Sequence, residues 1–351
     1  EIMKVLHVVP SLEVGGVQRF VTDLLPQLAN YCQVTLLVFK RVDMYNEKVL
    51  NEAGIEILSL NAAKYYDIRN VIPFLKIAKD FDVVHLHSTP SLYTAAIASI
   101  FYRMNLVFTM HTTNSRVRNK SYMRFFERWV FSKCRKIISI SQGAQDALQN
   151  WLHDSGSKYK VIFNGINLSR YISQELGCCK EKVIVMVSRF DVSNDQKTLI
   201  RAAKYLPDDV IIKFVGDGVT LQECMELVQN SELDNKVYFL GSRNDVPQIL
   251  SQAYLVVQSS NWEGFGLCVV EAMATGVPVI ASNIVGLKEV VEGAGILFEA
   301  GNEQDLVRQI NTLLNSESIY KNIALCCKKR AEAFSISKTA EEYMDVYHSL
   351  Q

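Results

Sequence analysis

Short apolar runs alternate with longer stretches of helical periodicity along almost the whole chain. The runs MKVLHVV (3–9), QVTLLVF (33–39), IEILSL (55–60), DVVHLH (82–87), NLVFTMH (105–111), KIISIS (136–141) and YKVIFNG (159–165) predict strands. They are apolar on both faces, as suits parallel strands covered by helices on either side. Segments such as GVQRFVTDLLPQLANY and SLYTAAIASIFYRM supply the helices between them. After Gly165 the pattern loosens, and it restarts at KVIVMVSRF (182–190). It continues through VIIKFVGDG (210–218), KVYFLGS (236–242), AYLVVQSS (253–260), VPVIAS (277–282) and AGILFE (294–299). The expected fold class is α/β, with two doubly wound Rossmann-like domains, 1–165 and 166–335, facing across a cleft. In such sheets ligands bind outside the carboxyl ends of the strands. The last helix, 336–351, carries Tyr343, Val346, Tyr347 and Leu350 at helical spacing. It could close the second domain or pack back on the first.

The bulk numbers change this picture little. At 351 residues, 49% hydrophobic and 21% charged, the chain has ordinary globular composition. Its 37 Lys+Arg balance 37 Asp+Glu, so no global charge points to nucleic acid. None of the 8 cysteines forms a Cys-x-x-Cys pair or a Cys/His cluster with zinc spacing. They read as reduced thiols of a cytoplasmic protein. The apolar part of EIMKVLHVVPSLE is too short for a signal peptide, and no run of about 18 apolar residues predicts a spanning helix. Gly15-Gly16 follow the first strand, without the Gly-x-Gly-x-x-Gly and later acid that a dinucleotide-dependent oxidoreductase would need.

Candidate chemistry concentrates in NWEGFGLCVVEAMATGVPVIAS, residues 261–282. Glu263 stands where a buried strand ends. Gly264 and Gly266 allow a tight turn, and a helix should begin near Leu267. Its unpaired N–H groups and positive dipole end form an anion site at the expected cleft. Glu271, about one turn in, can accept hydrogen bonds from a vicinal diol such as a ribose. Glu263 can meet the other end of a ligand. A dipole interaction of about 0.3–1 kcal/mol would account for Glu271 alone, but not for Glu263 beside two glycines.

This stretch resembles the signature of the retaining glycosyltransferases of family 4, which have the GT-B fold. PSLEVGGVQRFVTDL resembles the family's amino-terminal Gly-Gly loop. DVVHLH and NLVFTMH resemble its first-domain strands, VIFNGIN its interdomain entry, and VGDG with VYFLGSRNDVPQIL its second-domain nucleotide region. The resemblance implies that Glu271 holds ribose hydroxyls of a nucleoside-diphosphate-sugar donor and that Glu263 holds hydroxyls of the transferred sugar. It implies that the N–H groups of Phe265, Gly266 and Leu267, after Gly264, bind the sugar or diphosphate and that Arg189 binds the diphosphate. Gly15 and Gly16 would close over the phosphates, and His111 would reach the donor sugar and assist the transition state. Base selection would fall near 216–218, including Gly216, and near 242–245. No cofactor and no metal are expected, the nucleotide-sugar being a substrate.

The family usually reads Arg-Phe-x-x-x-Lys-Asp-Gln where this chain reads RFDVSNDQ, with Asn194 in place of the Lys. Lys197, Arg243 or Arg19 could compensate. His85 and His87 read as core residues. Asp80-x-Asp82 precedes its strand, at the pole opposite the expected cleft, so no metal is expected there. Residues 116–136 hold eight Lys or Arg against Glu127 alone, interleaved with Phe125, Phe126, Trp129 and Phe131. Such a helix could meet an anionic membrane surface or a lipid-linked acceptor. The reading is a retaining transferase acting on a glycan or lipid-linked acceptor in cell-surface polysaccharide assembly, cytoplasmic or peripheral on the inner face of the membrane. The alternative is a nucleotide-sugar-binding protein with little or no transferase activity, motivated by Asn194.

Overall fold

The structure is a computed structural model that describes residues 2–13, 15–41, 45–112, 122–171 and 181–351. Cys178, Cys179 and the first part of the basic segment, 116–121, lie outside the described residues. The chain divides into two compact units, Glu1–Gly165 with Ile336–Gln351, and Ile166–Ser335.

The first unit runs β1 (Lys4–Val9), α1 (Gly16–Leu28), β2 (Gln33–Val38), α2 (Tyr45–Glu52), β3 (Glu56–Ser59), α3 (Val71–Ala78) and β4 (Val83–Leu86). It continues through α4 (Thr89–Ala98), β5 (Leu106–Met110), α5 (Met123–Ser132), β6 (Cys134–Ser139), α6 (Gln142–Leu152) and β7 (Tyr159–Val161). The second unit runs β8 (Lys182–Val187), α7 (Gln196–Ala203), β9 (Val210–Val215), α8 (Leu221–Asn230), β10 (Val237–Phe239), α9 (Val246–Ser251) and β11 (Leu255–Gln258). Then follow α10 (Leu267–Ala274), β12 (Val279–Ser282), α11 (Leu287–Val291), β13 (Ile296–Phe298), α12 (Glu303–Asn315) and α13 (Glu317–Ala331). The last helix, α14 (Ile336–His348), belongs to the first unit.

Both sheets are parallel. Their strand orders are β3-β2-β1-β4-β5-β6-β7 and β10-β9-β8-β11-β12-β13. In each, the chain starts in the middle, builds one half, then crosses over and builds the other. The reversal lies between β1 and β4 in one unit and between β8 and β11 in the other. The β1 residues Val5, Leu6, Val8 and Val9 are fully buried. They alternate between two cores. One contains Val5, Val9, Phe20, Leu24, Tyr343 and Tyr347, so α1 and α14 cover that face. The other contains Leu6, Val8, Phe74, Leu92 and Val130. In the second unit a core forms around Ile184, Leu199, Ile212, Phe214 and Leu306.

Several helix starts follow from local chemistry. Ser141 Oγ accepts from the Ala144 N–H at 3.2 Å at the start of α6, and Asn302 Oδ1 from Asp305 N–H at 3.0 Å at the start of α12. The helix α10 has no such side-chain cap. It starts from Gly266, whose φ of +83° is a left-handed conformation that suits glycine.

Candidate functional site

In the second unit the loops leaving β8 and β11 sit side by side at the reversal point, where doubly wound sheets bind ligands. They are tied together. Asn261 N–H donates to Ser193 O at 2.7 Å, and Ser259 Oγ donates to Asp195 O at 2.9 Å. Asn194 is buried in this tie. Its Nδ2 donates to Asp191 Oδ1 at 2.9 Å, and its Oδ1 accepts from Gln258 Nε2 at 3.3 Å. An amide can donate and accept at once, whereas an ammonium can only donate. Asn194 thus joins the two loops through both ends of its amide.

The tie brings Arg189 and Asp191 close to Glu263. The guanidinium of Arg189 is 81% exposed, and its Nη2 lies 3.5 Å from Asp191 Oδ2. Glu263 is half-buried, and one carboxylate oxygen accepts from Gly264 N–H at 3.1 Å. Burial pushes its carboxyl above the ordinary glutamate value, and the Asp191 carboxylate adds to the rise. The Gly264 N–H, Arg189 and the Phe265 N–H pull the other way. Glu271 lies in the body of α10 and is buried. Phe265 is buried too, packed edge-on against Phe334 at 5.4 Å between ring centres. A region that draws a carboxyl's pKa upward, beside an exposed guanidinium and a helix start, suits a ligand carrying both hydroxyls and phosphate.

The other basic candidates already have partners in this unit. Lys197 Nζ lies 2.6 Å from Glu223 Oε2 on α8. Arg243 makes a two-pronged contact with Asp245, at 2.8 and 2.7 Å. Gly216 directly follows β9, where the chain stays hydrogen-bonded to the exit of β8.

In the first unit Gly15 and Gly16 form the start of α1 after β1. Gly15 is extended, with φ 178°, so its backbone is open to any residue. His111 follows β5 and retains partial exposure. Its Nε2 lies 3.1 Å from His87 Nδ1, and its ring meets Phe20 edge-on at 5.5 Å. Burial pushes the imidazole pKa down to about 3, so it is neutral at pH 7.

His7, His85 and His87 are fully buried, and they join a seam that sequence reasoning did not assemble. The register pairs His7 with His85, and His85 with Val107. Side chains two apart share a face, so His7, His85, His87, Thr109 and His111 follow one another across three strands under α1 and α14. The alternation HLH at 85–87 and TMH at 109–111 was the available signal. Asp82 instead lies at the opposite pole, accepting from the Lys4 N–H at 2.7 Å.

Tyr122, just before α5, and Phe125 on it are exposed at 67% and 78%, and Tyr66, Ile68 and Ile72 are exposed too. The helix is anchored through buried Glu127, which accepts from Tyr93 Oη at 2.9 Å and Trp151 Nε1 at 2.6 Å. Tyr93 links the exposed rings, meeting Tyr66 at 6.0 Å and Phe126 at 5.1 Å.

Comparison with known proteins agrees with this architecture. A family model described as Glycosyltransferase Family 4 matches residues 14–170, and one described as Glycosyl transferases group 1 matches residues 172–332. The chain is 25% identical to the N-acetyl-alpha-D-glucosaminyl L-malate synthase of Bacillus anthracis, over 96% of this chain and 94% of that one. It is also 25% identical to the UDP-Gal:alpha-D-GlcNAc-diphosphoundecaprenol alpha-1,3-galactosyltransferase of Escherichia coli, over 98% and 96%. The crystal structure of Anabaena HepE in complex with UDP and glucose is similar with a TM-score of 0.88 at 24% identity, over 99% of this chain and 100% of that one. The fold is GT-B, and the class is that of the glycosyltransferases. Within it, the chain belongs to family 4.

Proposed function

We propose that the protein transfers a sugar, with retention of anomeric configuration, from a uridine-diphosphate sugar to a hydroxyl of a lipid-diphosphate-linked glycan. The setting is cell-surface polysaccharide assembly at the cytoplasmic face of a membrane. The observation that carries the reading is the tie through Asn194, which holds Arg189 and Glu263 beside the start of α10. The names of the Escherichia coli relative and of the HepE complex supply the uridine nucleotide, and the former supplies the lipid-diphosphate acceptor.

In this reading the main catalytic task is to stabilise negative charge developing on the leaving diphosphate. The α10 N–H groups and Arg189 do so without a metal ion. Glu271 holds the ribose, Glu263 holds sugar hydroxyls, and His111 assists the transition state. The departing phosphate takes the acceptor's proton. In a thermal-shift titration a UDP-sugar should stabilise the protein by about 2.7 kcal/mol at a hundred times its Kd. Arg189→Ala should raise that Kd ten- to a hundred-fold, since a hydrogen bond to a charged group contributes roughly 1.5–3 kcal/mol. Ligand-free stability should barely change, because the side chain is largely in solvent. Unchanged affinity in the variant would remove Arg189 from the site, and an inverted anomer in the product would overturn retention.

Asn194 favours a second reading, a donor-binding protein with little turnover, because no ammonium stands at that position. The same titration, paired with a transfer assay, separates the two: tight binding without transfer or donor hydrolysis would select it.

The acceptor end of the proposal rests on α5. Exposed Phe125 and Arg128 on this helix, with Tyr122 just before it, suit an anionic lipid surface. Among the described residues no helix is long and apolar enough to cross a membrane, so contact would be peripheral. In flotation with phosphatidylglycerol vesicles the protein should rise with the lipid, and the double variant Phe125→Ser, Arg128→Glu should stay behind. Equal behaviour of the two proteins would reject this contact.

A further inference from the structure

Seven side chains in the first unit form one unbranched hydrogen-bonded line. Tyr343 Oη meets Thr109 Oγ1 at 3.2 Å, and Thr109 Oγ1 meets His85 Nε2 at 2.7 Å. His85 Nδ1 meets Tyr347 Oη at 2.5 Å, and Tyr347 Oη meets His7 Nε2 at 3.3 Å. His7 Nδ1 meets His87 Nε2 at 2.9 Å, and His87 Nδ1 meets His111 Nε2 at 3.1 Å. We propose that the two tyrosines of α14 give this line a fixed direction, which sets His111 as the Nδ1–H tautomer and makes it a hydrogen-bond donor rather than a base.

A neutral imidazole has one N–H and one lone pair, and a hydroxyl has a single proton. Each interior ring bonds on both sides, so it accepts from one neighbour and donates to the other, and an interior hydroxyl does the same because accepting on both sides would leave its own buried proton unpaired. Only two directions are then possible. The choice is made at the buried end. Tyr343 is fully buried, and Thr109 is its only hydrogen-bond partner among the described residues. If Thr109 donated to Tyr343, the phenol's own proton would be buried unpaired, which costs stability. If Tyr343 donates, only an acceptor lone pair is left over, a more readily tolerated state. The direction therefore runs from Tyr343 outward. Thr109 donates to His85 Nε2, His85 Nδ1–H to Tyr347, and Tyr347 to His7 Nε2. His7 Nδ1–H then donates to His87 Nε2, and His87 Nδ1–H to His111 Nε2. His111 is left with its proton on Nδ1.

The line also accounts for three buried imidazoles whose ligand atoms lie within 4.8 Å of one another, a spacing that a metal ion could use. All six of their ring nitrogens meet a hydrogen-bond partner in the links above. In the proposed transfer a neutral donor at His111 would hold an oxygen of the sugar and leave proton removal to the phosphate. That consequence rests on the proposed function; the tautomer does not. Tyr343 and Tyr347 are thus positioning residues, acting on the site only through His111.

Long-range 1H–15N spectra of the full chain carrying 15N-histidine distinguish the neutral tautomers. At pH 7.5, His7, His85, His87 and His111 are all expected as Nδ1–H. Tyr347→Phe cuts the line and Tyr343→Phe removes its first donor. In each, His111 should lose its single tautomer, and kcat should fall roughly tenfold with little change in donor KM, as when outer partners of a functional histidine are removed. A wild-type His111 found as Nε2–H overturns the proposal, and so does a variant that loses kcat while His111 stays Nδ1–H. The wild-type spectrum decides even if neither variant folds. It needs neither donor nor acceptor, so it can fail while transfer stands, or hold while transfer is absent.

Discussion

Lowering the pH from 7.5 to 5 should unfold the first unit. His7, His85 and His87 are fully buried and hydrogen-bonded as neutral rings. Burial pushes His7 down to about 3 and His85 and His87 well below the ordinary histidine value. In the unfolded chain the same rings titrate near about 6.5. Below that pH the unfolded state binds protons that the folded state refuses, so stability falls as pH falls. Above it both states are neutral, and this dependence vanishes. Each ring costs about 1.4 kcal/mol per pH unit, so three remove roughly 6 kcal/mol by pH 5. That is comparable to the whole stability of an ordinary domain. The paired carboxylates act in another window. Asp67, held to about 2 chiefly by its hydrogen bonds from Arg69, stabilises above the ordinary carboxylate range and is lost only below about pH 4. Glu263, whose carboxyl is raised by burial, has the opposite sign, so the second unit gains slightly on mild acidification. Urea unfolding followed by tryptophan fluorescence reads mainly the first unit, which holds Trp129 and Trp151 against Trp262 in the second. A midpoint unchanged down to pH 5 would mean that these rings are not buried and neutral.

The strands were legible because a parallel sheet covered on both faces leaves unbroken apolar runs, such as KVLHVV, which no polar face interrupts. The reach of each strand was less so. AYLVVQSS reads as one run, yet β11 ends at Gln258. Ser259 and Ser260 turn their hydroxyls to the neighbouring loops instead, Ser259 donating to Asp195 O. The placement of α14 was open for a related reason. Tyr343, Val346, Tyr347 and Leu350 mark an apolar stripe, but periodicity does not say which core will receive it. The partner is set by the shape of the gap beside α1, where Tyr343 meets Phe20 edge-on at 6.3 Å.

Among the candidate site residues, those fixed by backbone geometry could be read locally, because a Gly-Phe-Gly turn before a helix has few solutions. Glu263 and the α10 start were visible in that way. Pairings across the fold were not. Asn194 stood out by being unlike the family pattern, but its bond to Gln258 depends on the β8–β11 adjacency. Lys197 has a partner in Glu223, 26 positions later, that nothing in the local pattern marks. The histidine seam was hidden most completely, since a His on an apolar strand reads as a lone core residue until the register of β1, β4 and β5 is known.

Alanine at Gly216 should cost the second unit roughly 2–6 kcal/mol, adding about 1–3 for a strained backbone to about 1–3 for forced overpacking. Gly216 has φ +137°, a conformation that L side chains rarely adopt. A Cβ there would lie 2.0 Å from Ser188 O and 2.9 Å from Ser188 C. Both are backbone atoms, so no rotamer change relieves the overlap. The approach is close because the chain stays laced after the strands end. Ser188 N–H donates to Val215 O at 3.0 Å, Phe190 N–H to Asp217 O at 2.9 Å, and Gly216 N–H to Gly241 O at 2.9 Å. Making room for one methyl means breaking some of these bonds and moving Ser188 away from β9. Arg189 is the next residue, so its guanidinium moves with the backbone that carries it. The stability loss should therefore come with weaker UDP-sugar affinity in whatever fraction stays folded. Arg189→Ala by contrast should weaken affinity at constant stability, so the pair separates the guanidinium from the backbone that aims it. Calorimetry of Gly216→Ala gives the decisive number: a loss below about 0.5 kcal/mol would mean that the two strand exits are not packed this closely.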